Sequence, residues 1–408
     1  MYDHIMIRYG DLVLKGRNQK SFRDTINNQI KFKLSHLNVK FEFQHDLVYI
    51  RLNDVNPEEV IKVLDTLPGL SSYSKVIKTK YDIDTIGQES VLLIRNEIQG
   101  KETTFKVESK RADKTIPITS QEISRLVSRI VLSGVPNLKV DVHNPKLTLY
   151  VEARKDATYL YVNRIPGLGG FPVPMAGKAL VLLSGGIDSP VSAFLAMKKG
   201  FEVECIHFES TPMTSIESAQ KVIDLTEKLA VFAPKYKIKL HLVPFQKIHE
   251  QIIFNSPESF VITIMRRMMY RIATAIADEN DCSILVAGDS IGQVASQTIE
   301  SMMTIQDVTN KLVIRPLATY DKSEIIKIAQ KIDTLEISNR PFSDCCTVYV
   351  PKNPVIKPTA KKALEYENQF DYSNLIEEAV DNTKTITLDN REHLDIQFKG
   401  LTVAECLE

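Results

Sequence analysis

The sequence predicts an α/β protein: a C-terminal doubly wound parallel sheet of Rossmann-like kind, preceded by smaller α+β units of ferredoxin-like order. Three observations predict it. From Ala179 onward, apolar strand-like runs alternate with helical stretches, the βαβ rhythm of a parallel sheet. Before Ile165, strands and helices follow one another in short α+β blocks instead. Between the two lies "IPGLGGFPVPMAGK", Ile165 to Lys178, dense in Gly and Pro, which reads as a linker. At 408 residues the chain is also too long for one ordinary core, so two or three domains are expected.

The first block opens with a strand, "HIMIRYG", then a helix from about Gln19 to Leu37. Two strands follow, "VKFEFQ" and "LVYIRL", and a helix begun near Asn56 and stopped by Pro68-Gly69. The strands alternate in places, and the helices carry apolar residues at three- and four-residue spacing. The second block reads strand "YSKVIKTK", helix through "ESVLLIRNEI", strand "TTFKVESKRADK" and helix through "QEISRLVSRIVL". It closes with a hairpin, "LTLYVEARKDATYLYVNR", turning near Lys155-Asp156. In the third block "ALVLL" feeds a helix from about Ser189 to Lys199, stopped by Gly200. "EVECIHF" feeds a helix opened by Thr214 with Glu217 three residues on, a capping-box spacing. "IKLHLVPF", "SILVAGD" and "LVIRPL" are further strands, with a long helix from about Glu258 to Asp278 and another opened by Asp321 and Glu324. A sheet of this kind binds ligands at the carboxyl ends of its strands.

Composition is that of a globular protein, 43% apolar and 25% charged, without a long uninterrupted apolar run. The N-terminus, "MYDHIMIRYGD", lacks a signal-peptide layout, so a soluble cytoplasmic protein with no membrane partner is expected. Formal net charge is zero, yet residues 1–175 hold 26 Lys and Arg against 20 Asp and Glu, and the remainder 25 against 31. A basic first half points to a polyanionic partner; uneven surface charge without function is the plain alternative. The five cysteines are odd in number and irregular in spacing, which argues against a disulfide framework and for a reducing compartment. Cys205 and Cys282 stand in apolar strand runs and read as buried small hydrophobes, while Cys406 falls in a tail expected to fray. No residue is assigned to a protein-held metal centre.

The stretch "VLLSGGIDSP", Val181 to Pro190, joins the first strand of the βαβ series to its helix through a tight Ser-Gly-Gly turn. Glycines let backbone N–H groups turn inward, and the helix start adds its own free N–H groups and positive dipole end, together an anion cradle. Ser184 and Ser189 can add hydroxyl donors. The purely structural alternative is a glycine turn with Ser189 as N-cap and Pro190 at the first helical position. The nearby "AGKA" is not a phosphate loop, because Pro172 stands where G-x4-G-K needs its first glycine and Ala179 where it needs Ser or Thr.

The full S-G-G-x-D-S-P resembles the pyrophosphate loop of the N-type ATP pyrophosphatases. The resemblance implies that ATP is split between its α- and β-phosphates, that a substrate oxygen is adenylated, and that a nucleophile then displaces AMP. Asp188 would help hold Mg²⁺. Further stretches are "MRRMMYRIA" from Met265, "AGDSIGQVASQT" from Ala287 to Thr298 and "RPLATYDKSEI" from Arg315 to Ile325. With these, "IRYGDLVLKG" near the start and "ESKRADK" at Glu108–Lys114, essentially the whole chain is similar to the tRNA 4-thiouridine synthetases (tRNA sulfurtransferases, the ThiI family). The form resembled is the one without a C-terminal rhodanese domain. The implied domains are a ferredoxin-like one at 1–55, a THUMP RNA-binding one at 56–165, a linker at 166–178 and a pyrophosphate-loop domain at 179–408.

The resemblance places Leu182, Leu183, His207 and Phe208 at the adenosine and Ser184, Gly185, Gly186, Asp188 and Ser189 at the phosphates. Arg266, Gly288 and Gln297 complete the nucleotide pocket, and Lys322 matches a functionally important lysine. From the residues alone, Arg266 could be a solvated helix charge, Gly288 a turn glycine and Gln297 a capping or exposed side chain. A lysine in a first helical turn is disfavoured by the helix dipole, which argues against a purely structural role for Lys322.

"RPFSDCCTVYVPKNP" places Cys345 and Cys346 in a loop after Pro341. Consecutive side chains point apart, so one buried thiol beside an incidental exposed one is the plain reading. The resemblance implies a thiol that takes sulfane sulfur from a cysteine desulfurase as a persulfide and attacks C4 of an activated uridine-8. The sequence ends at Glu408, so the rhodanese cysteine of some members, and the thiamine-thiazole role attached to it, are not expected. The persulfide is expected on Cys346, whose "CTVY" context fits the family pattern, or on Cys345. The THUMP region would dock the acceptor end of tRNA. Lys106, Lys110, Arg111 and Lys114, with Lys101, fall within fourteen residues, and Lys15 and Arg17 in "LVLKGRN" are further candidates for phosphate contact. Recognition would be of shape and backbone. Members often form homodimers, so a homodimer is expected. Two other classes stay open from the residues: a small-molecule ligase, which the basic first half argues against, and a non-catalytic RNA-binding protein, which the intact loop argues against.

Overall fold

Two units make up the chain, Met1–Gly170 and Phe171–Glu408. The computed structural model describes residues 2–10, 19–44, 46–154, 157–342, 344, 351–397, 400 and 402–407.

In the first unit the strands are β1 (His4–Arg8), β2 (Lys40–Phe43), β3 (Leu47–Arg51), β4 (Ser72–Thr79), β5 (Thr103–Arg111), β6 (Leu138–Val140), β7 (Leu147–Ala153), β8 (Thr158–Tyr161) and β9 (Ile165–Pro166). They form one sheet in the order β2-β3-β1-β4-β8-β7-β5-β6, with β9 on β4. The joint is β4: Ser72–Val76 pair with β1 and Ile77–Thr79 with β8, so both α+β blocks share a sheet. Helices α1 (Gln19–Lys33), α2 (Pro57–Leu64), α3 (Ile83–Ile98) and α4 (Ser120–Gly134) complete the unit. Asn56 caps α2, with a proline in its first turn, and Thr119 and Glu122 close a capping box at α4. Leu93 and Ile94 of α3 and Ile123, Val127 and Val131 of α4 pack on Phe105, Leu149, Val151 and Leu160. β6 and β9 were not expected; at three and two residues they are too short to show a period. The hairpin turn at Lys155-Asp156 lies outside the described residues.

In the second unit β10 (Gly177–Leu182), β11 (Phe201–Glu209), β12 (Lys237–Pro244), β13 (Ile284–Val286), β14 (Leu312–Ile314) and β15 (Lys384–Asp389) lie in the order β14-β13-β10-β11-β12-β15. All neighbours are parallel except β15, which runs antiparallel on β12. The chain lays β11 and β12 to one side of β10, then returns to lay β13 and β14 on the other. That reversal creates a crevice at the carboxyl ends of β10 and β13. The helices are α5 (Asp188–Lys198), α6 (Ile216–Ala230), α7 (Gln246–Asn255), α8 (Val261–Glu279), α9 (Ile299–Gln306), α10 (Lys322–Lys331), α11 (Leu335–Ser338), α12 (Ala360–Glu367), α13 (Tyr372–Asp381) and α14 (Val403–Leu407). The central strands are buried on both faces, which is why they read as continuous apolar runs. Ile264, Met265, Met268, Ile272 and Ile276 of α8 recur at helical spacing and join one core with Leu180, Ile206 and Leu285.

Several expectations give way here. The capping box at Thr214 and Glu217 does not form: Ser215 is the N-cap residue, and the buried Thr214 hydroxyl has no partner among the described residues. Cys406 is 7% exposed within α14 rather than in a frayed tail, because Val403 and Cys406 share an inward face. α7, α9, α11, α12, α13, α14 and the edge strand β15 were not expected. Asp321 and Glu324 do close the capping box of α10, and Cys205 and Cys282 are buried as read.

A buried ion cluster fixes α12 on α8. Glu367 is fully buried and accepts from Arg267 Nε at 2.6 Å and Arg271 Nη2 at 2.9 Å. Removing one partner leaves buried charge uncompensated, so Glu367→Ala is expected to lower unfolding free energy by about 3–5 kcal/mol. Urea denaturation measures it; a change under about 1 kcal/mol, the surface-pair level, would contradict the assignment.

Candidate active site

β10 ends at Leu182, and the chain turns through Leu183, Ser184, Gly185, Gly186 and Ile187 before α5 starts at Asp188. Pro190 is tolerated because it sits in the first helical turn, where no intrahelical N–H bond is lost. Ser189 is not the N-cap. Its hydroxyl is buried, accepts the Ser184 N–H at 2.9 Å and returns a bond to the Ser184 carbonyl at 3.1 Å, which closes the turn on itself. The Ser184 hydroxyl accepts the Gly186 N–H at 3.3 Å. The N-cap residue, Ile187, offers no side-chain cap, so among the described residues no cap closes the N–H groups and positive dipole end at the start of α5.

They stand beside a cavity of about 490 Å³, of the size small-molecule sites occupy. Of the nucleotide residues named from the sequence, all except Gly185 line it. Leu182, Leu183, Ser184, Gly186, Asp188 and Ser189 arrive from the β10 turn, and His207 and Phe208 from β11. Arg266 comes from α8, Gly288 from the end of β13, and Gln297 from a turn of 3-10 helix, Ala295–Gln297. The His207 ring donates from Nδ1 to the Leu183 carbonyl at 3.0 Å, tying the ends of β11 and β10 together. Arg266 is no solvated helix charge: it pairs with buried Asp289 at 2.6 Å, and Arg315 takes the other carboxylate oxygen at 3.1 Å. Burial works to raise the Asp289 carboxyl, but the two guanidiniums outweigh it and hold it below the usual carboxylate range. The Gln297 Oε1 is buried with no partner among the described residues.

Gly288 is there for contact rather than for a turn. It does not adopt a positive φ, and a Cβ on it would lie 2.9 Å from the Ser189 nitrogen and 3.0 Å from its Cα. A strand end and a helix start can approach this closely only through glycine. Asp188 reaches across the rim: Lys322, the first residue of α10, pairs with it at 2.6 Å, and Gln293 donates to it at 3.0 Å.

Asp289, Arg315, Asp344 and Lys221 were not assigned from the sequence. Arg315 directly follows β14 and Asp289 lies three residues beyond β13, a signal the sheet rule supplies. Asp344 and Lys221 carried none. The Gly185 N–H donates to Asp344 at 2.9 and 3.1 Å. Buried Lys221, on α6, donates to the carbonyls of Arg340 at 3.0 Å and Phe342 at 3.4 Å, and burial pushes its pKa below the ordinary lysine value. Away from the cavity, Asp224, Glu227 and His393 cluster, but Asp224 is held by Arg340 and Gln220, and Glu227 by His393 and the Leu394 N–H.

Residues 4–74 match the ThiI ferredoxin-like domain, 80–163 the THUMP domain, and 174–372 the family described as thiamine biosynthesis protein (ThiI). Over 403 residues the chain is 48% identical to a probable tRNA sulfurtransferase of Acholeplasma laidlawii, covering 99% of this chain and 98% of that one. The chain belongs to the tRNA sulfurtransferase family. A second member, from Anoxybacillus flavithermus, is 43% identical over 97% of this chain and 100% of its own. A crystal structure of a 4-thiouridine synthetase–RNA complex with bound ATP matches at a TM-score of 0.87 and 32% identity, covering 95% of this chain and 100% of that one. A protein of Pyrococcus horikoshii Ot3, at 21% identity and a TM-score of 0.63 over 81% of this chain and 99% of its own, shares the fold.

The remaining residues named from the sequence are distributed unevenly. Alternation along β5 puts Lys106 and Lys110 on the sheet face away from α3 and α4, with Lys114 exposed just beyond. Arg111 points to the opposite face, where its guanidinium donates to the carbonyls of Ile116 at 2.8 Å and Ile118 at 3.2 Å. These four cations therefore do not form one strip. The face bearing Lys106 and Lys110 also holds stacked Tyr150 and Tyr161, with Arg164 over the first at 4.4 Å and Arg8 over the second at 4.9 Å. Those cations were not read from the sequence, because Arg8 on β1 and Arg164 just before β9 are brought together only by the sheet. Lys15, Arg17, Cys345 and Cys346 lie outside the described residues. Among the described residues no helix is long and apolar enough to cross a membrane.

Proposed function

We propose that this family member is an ATP-dependent tRNA uracil 4-sulfurtransferase. It adenylates O4 of uridine-8 and replaces that oxygen with persulfide sulfur, giving 4-thiouridine, AMP and pyrophosphate. The observation that carries the reading is the uncapped start of α5, reached through Ser-Gly-Gly, on a nucleotide-sized cavity at the sheet's switch point. ATP occupies that cavity; that a related 4-thiouridine synthetase was crystallised with ATP and RNA supports ATP as the ligand. Leu182, Leu183, His207 and Phe208 take the adenosine, Arg266, Gly288 and Gln297 complete the pocket, and Ser184, Gly185, Gly186 and Ser189 take the phosphates. Mg²⁺ fits Asp188, since Asp289 is already neutralised by two arginines; it would offset charge on the phosphate oxygens.

The uracil O4 attacks the α-phosphorus, the bond to the bridging oxygen breaks, and the turn's N–H groups with the α5 dipole receive the pyrophosphate charge. Lys322 holds the Asp188 carboxylate in place. The outer sulfur of a persulfide on Cys346 (or Cys345) attacks C4, and AMP departs with O4. The other cysteine, or an external thiol, then cleaves the sulfur–sulfur bond to free the thiolated base. Cys205 and Cys282 are poor candidates: burial pushes the Cys282 thiol up to about 11 and that of Cys205 further.

The ferredoxin-like and THUMP regions dock tRNA through Lys106, Lys110, Lys114, Lys15 and Arg17, and the 166–178 linker leads to the catalytic domain at 179–408. A cysteine desulfurase supplies the sulfur, and the enzyme works in the cytoplasm as a homodimer; a single-chain sedimentation mass would exclude the dimer. The deciding experiment incubates unmodified tRNA, ATP, Mg²⁺ and a persulfide source, then runs a mercury-containing gel. ATP-dependent retardation supports the reading; neither AMP nor retardation overturns it. Cys346→Ser is expected to abolish retardation while AMP still forms, with Cys345→Ser the milder variant. The reverse order would move the persulfide to Cys345.

A further inference from the structure

We infer that Asp344 is a built-in competitor for the anion cradle: its carboxylate holds the Gly185 N–H that a phosphate group needs, so the two anions exclude one another. The inference rests on the nucleotide reading above and deepens it. Asp344 lines the same cavity as Ser184, Gly186 and Asp188, and the Gly185 amide is shared between its two carboxylate oxygens at 2.9 and 3.1 Å. Such a charge-assisted bond at the foot of a helix dipole is the interaction a phosphate oxygen would make. A Cβ at position 185 would lie 3.1 Å from Asp344 Oδ1 and 3.0 Å from Lys221 Cδ, so a larger residue there would press on both side chains.

Arg340 and Phe342, just before Asp344 in the sequence, are anchored. Lys221 holds the carbonyls of Arg340 and Phe342, and Arg340 pairs with Asp224 of the same helix. A carboxylate delivered from an anchored backbone loses little freedom when it docks, which makes it an effective competitor. Cys345 follows Asp344 in the sequence. Filling and emptying the cradle therefore bears on the residue that precedes the cysteine pair in the sequence.

A competitor that leaves the cradle open for one tenth of the time weakens apparent affinity roughly ten-fold. Pyrophosphate should be titrated calorimetrically into the wild-type protein, Asp344→Asn and Asp344→Ala, with melting temperature followed alongside. Asparagine keeps a weaker acceptor and alanine keeps none, so affinity is expected to rise in that order, about ten-fold for alanine, and the KM for ATP to fall in the same order. Pyrophosphate binding equally to all three would overturn the inference alone. Weaker binding in both variants at unchanged melting temperature would also overturn it, making Asp344 a ligand-side residue. No binding to any of the three would remove the nucleotide reading and this inference together.

Discussion

Asp188→Ala is expected to lower AMP formation about a thousand-fold with the fold intact. The carboxylate sits at the first residue of α5, on the rim of the cradle, 2.6 Å from the Lys322 ammonium. Lys322 is 43% exposed, so the pair itself contributes at most about 1 kcal/mol to stability. A carboxylate at a helix start is worth roughly another 0.5 kcal/mol. Neither sum would unfold the protein, so a large loss of turnover has to come from the chemistry. A negative side chain beside a polyanion repels it unless a cation lies between, which is why Asp188 is assigned to Mg²⁺ rather than to phosphate. AMP release with saturating tRNA, and thermal melting of the same sample, separate the two effects. Turnover within about ten-fold of wild type would remove Asp188 from the metal role.

Gly288→Ala is the second large effect, and it acts through geometry alone. The new methyl would meet the backbone of Ser189 at 2.9 and 3.0 Å, and backbone at a helix start cannot swing aside as a side-chain tip can. The strand end and α5 must separate, at a cost of about 1–3 kcal/mol in stability. Displacing the turn by as little as an ångström would misplace the N–H groups proposed to receive the phosphates, which costs about a hundred-fold in rate. The kcat/KM for ATP-dependent AMP release is expected to fall by that order while tRNA binding is unchanged. A variant with full activity and unaltered stability would show that the approach of β13 to α5 is not required.

Much of the site was legible because its signals are local. Ser184-Gly185-Gly186 follows an apolar strand and precedes a helix within a dozen residues, so turn chemistry and periodicity suffice to expose an anion cradle. Asp321 and Glu324 announced the α10 cap for the same reason. Ser189 was harder: its residue type is equally good at capping a helix and at closing a turn, and only the 2.9 Å bond from the Ser184 N–H distinguishes the two. The Thr214 spacing misled because a capping box needs backbone in the right place as well as the right residues. Cys406 looked like tail because five helical residues are too few to show which face is buried.

By itself, the sequence determined the βαβ order, the Gly-rich turn, the adjacent cysteine pair and the family resemblance, since each depends on residues within one or two turns of chain. The tertiary structure decided which distant groups meet. Asp188 and Lys322 pair across 134 positions and Gly185 and Asp344 across 159. Gly288 matters only because β13 lies beside β10, and the Asp289 carboxyl is held below its usual range because α8 and the end of β14 bring two arginines to it. Those contacts follow from strand order, set by the burial of both sheet faces across the whole unit, and no short window of sequence records it.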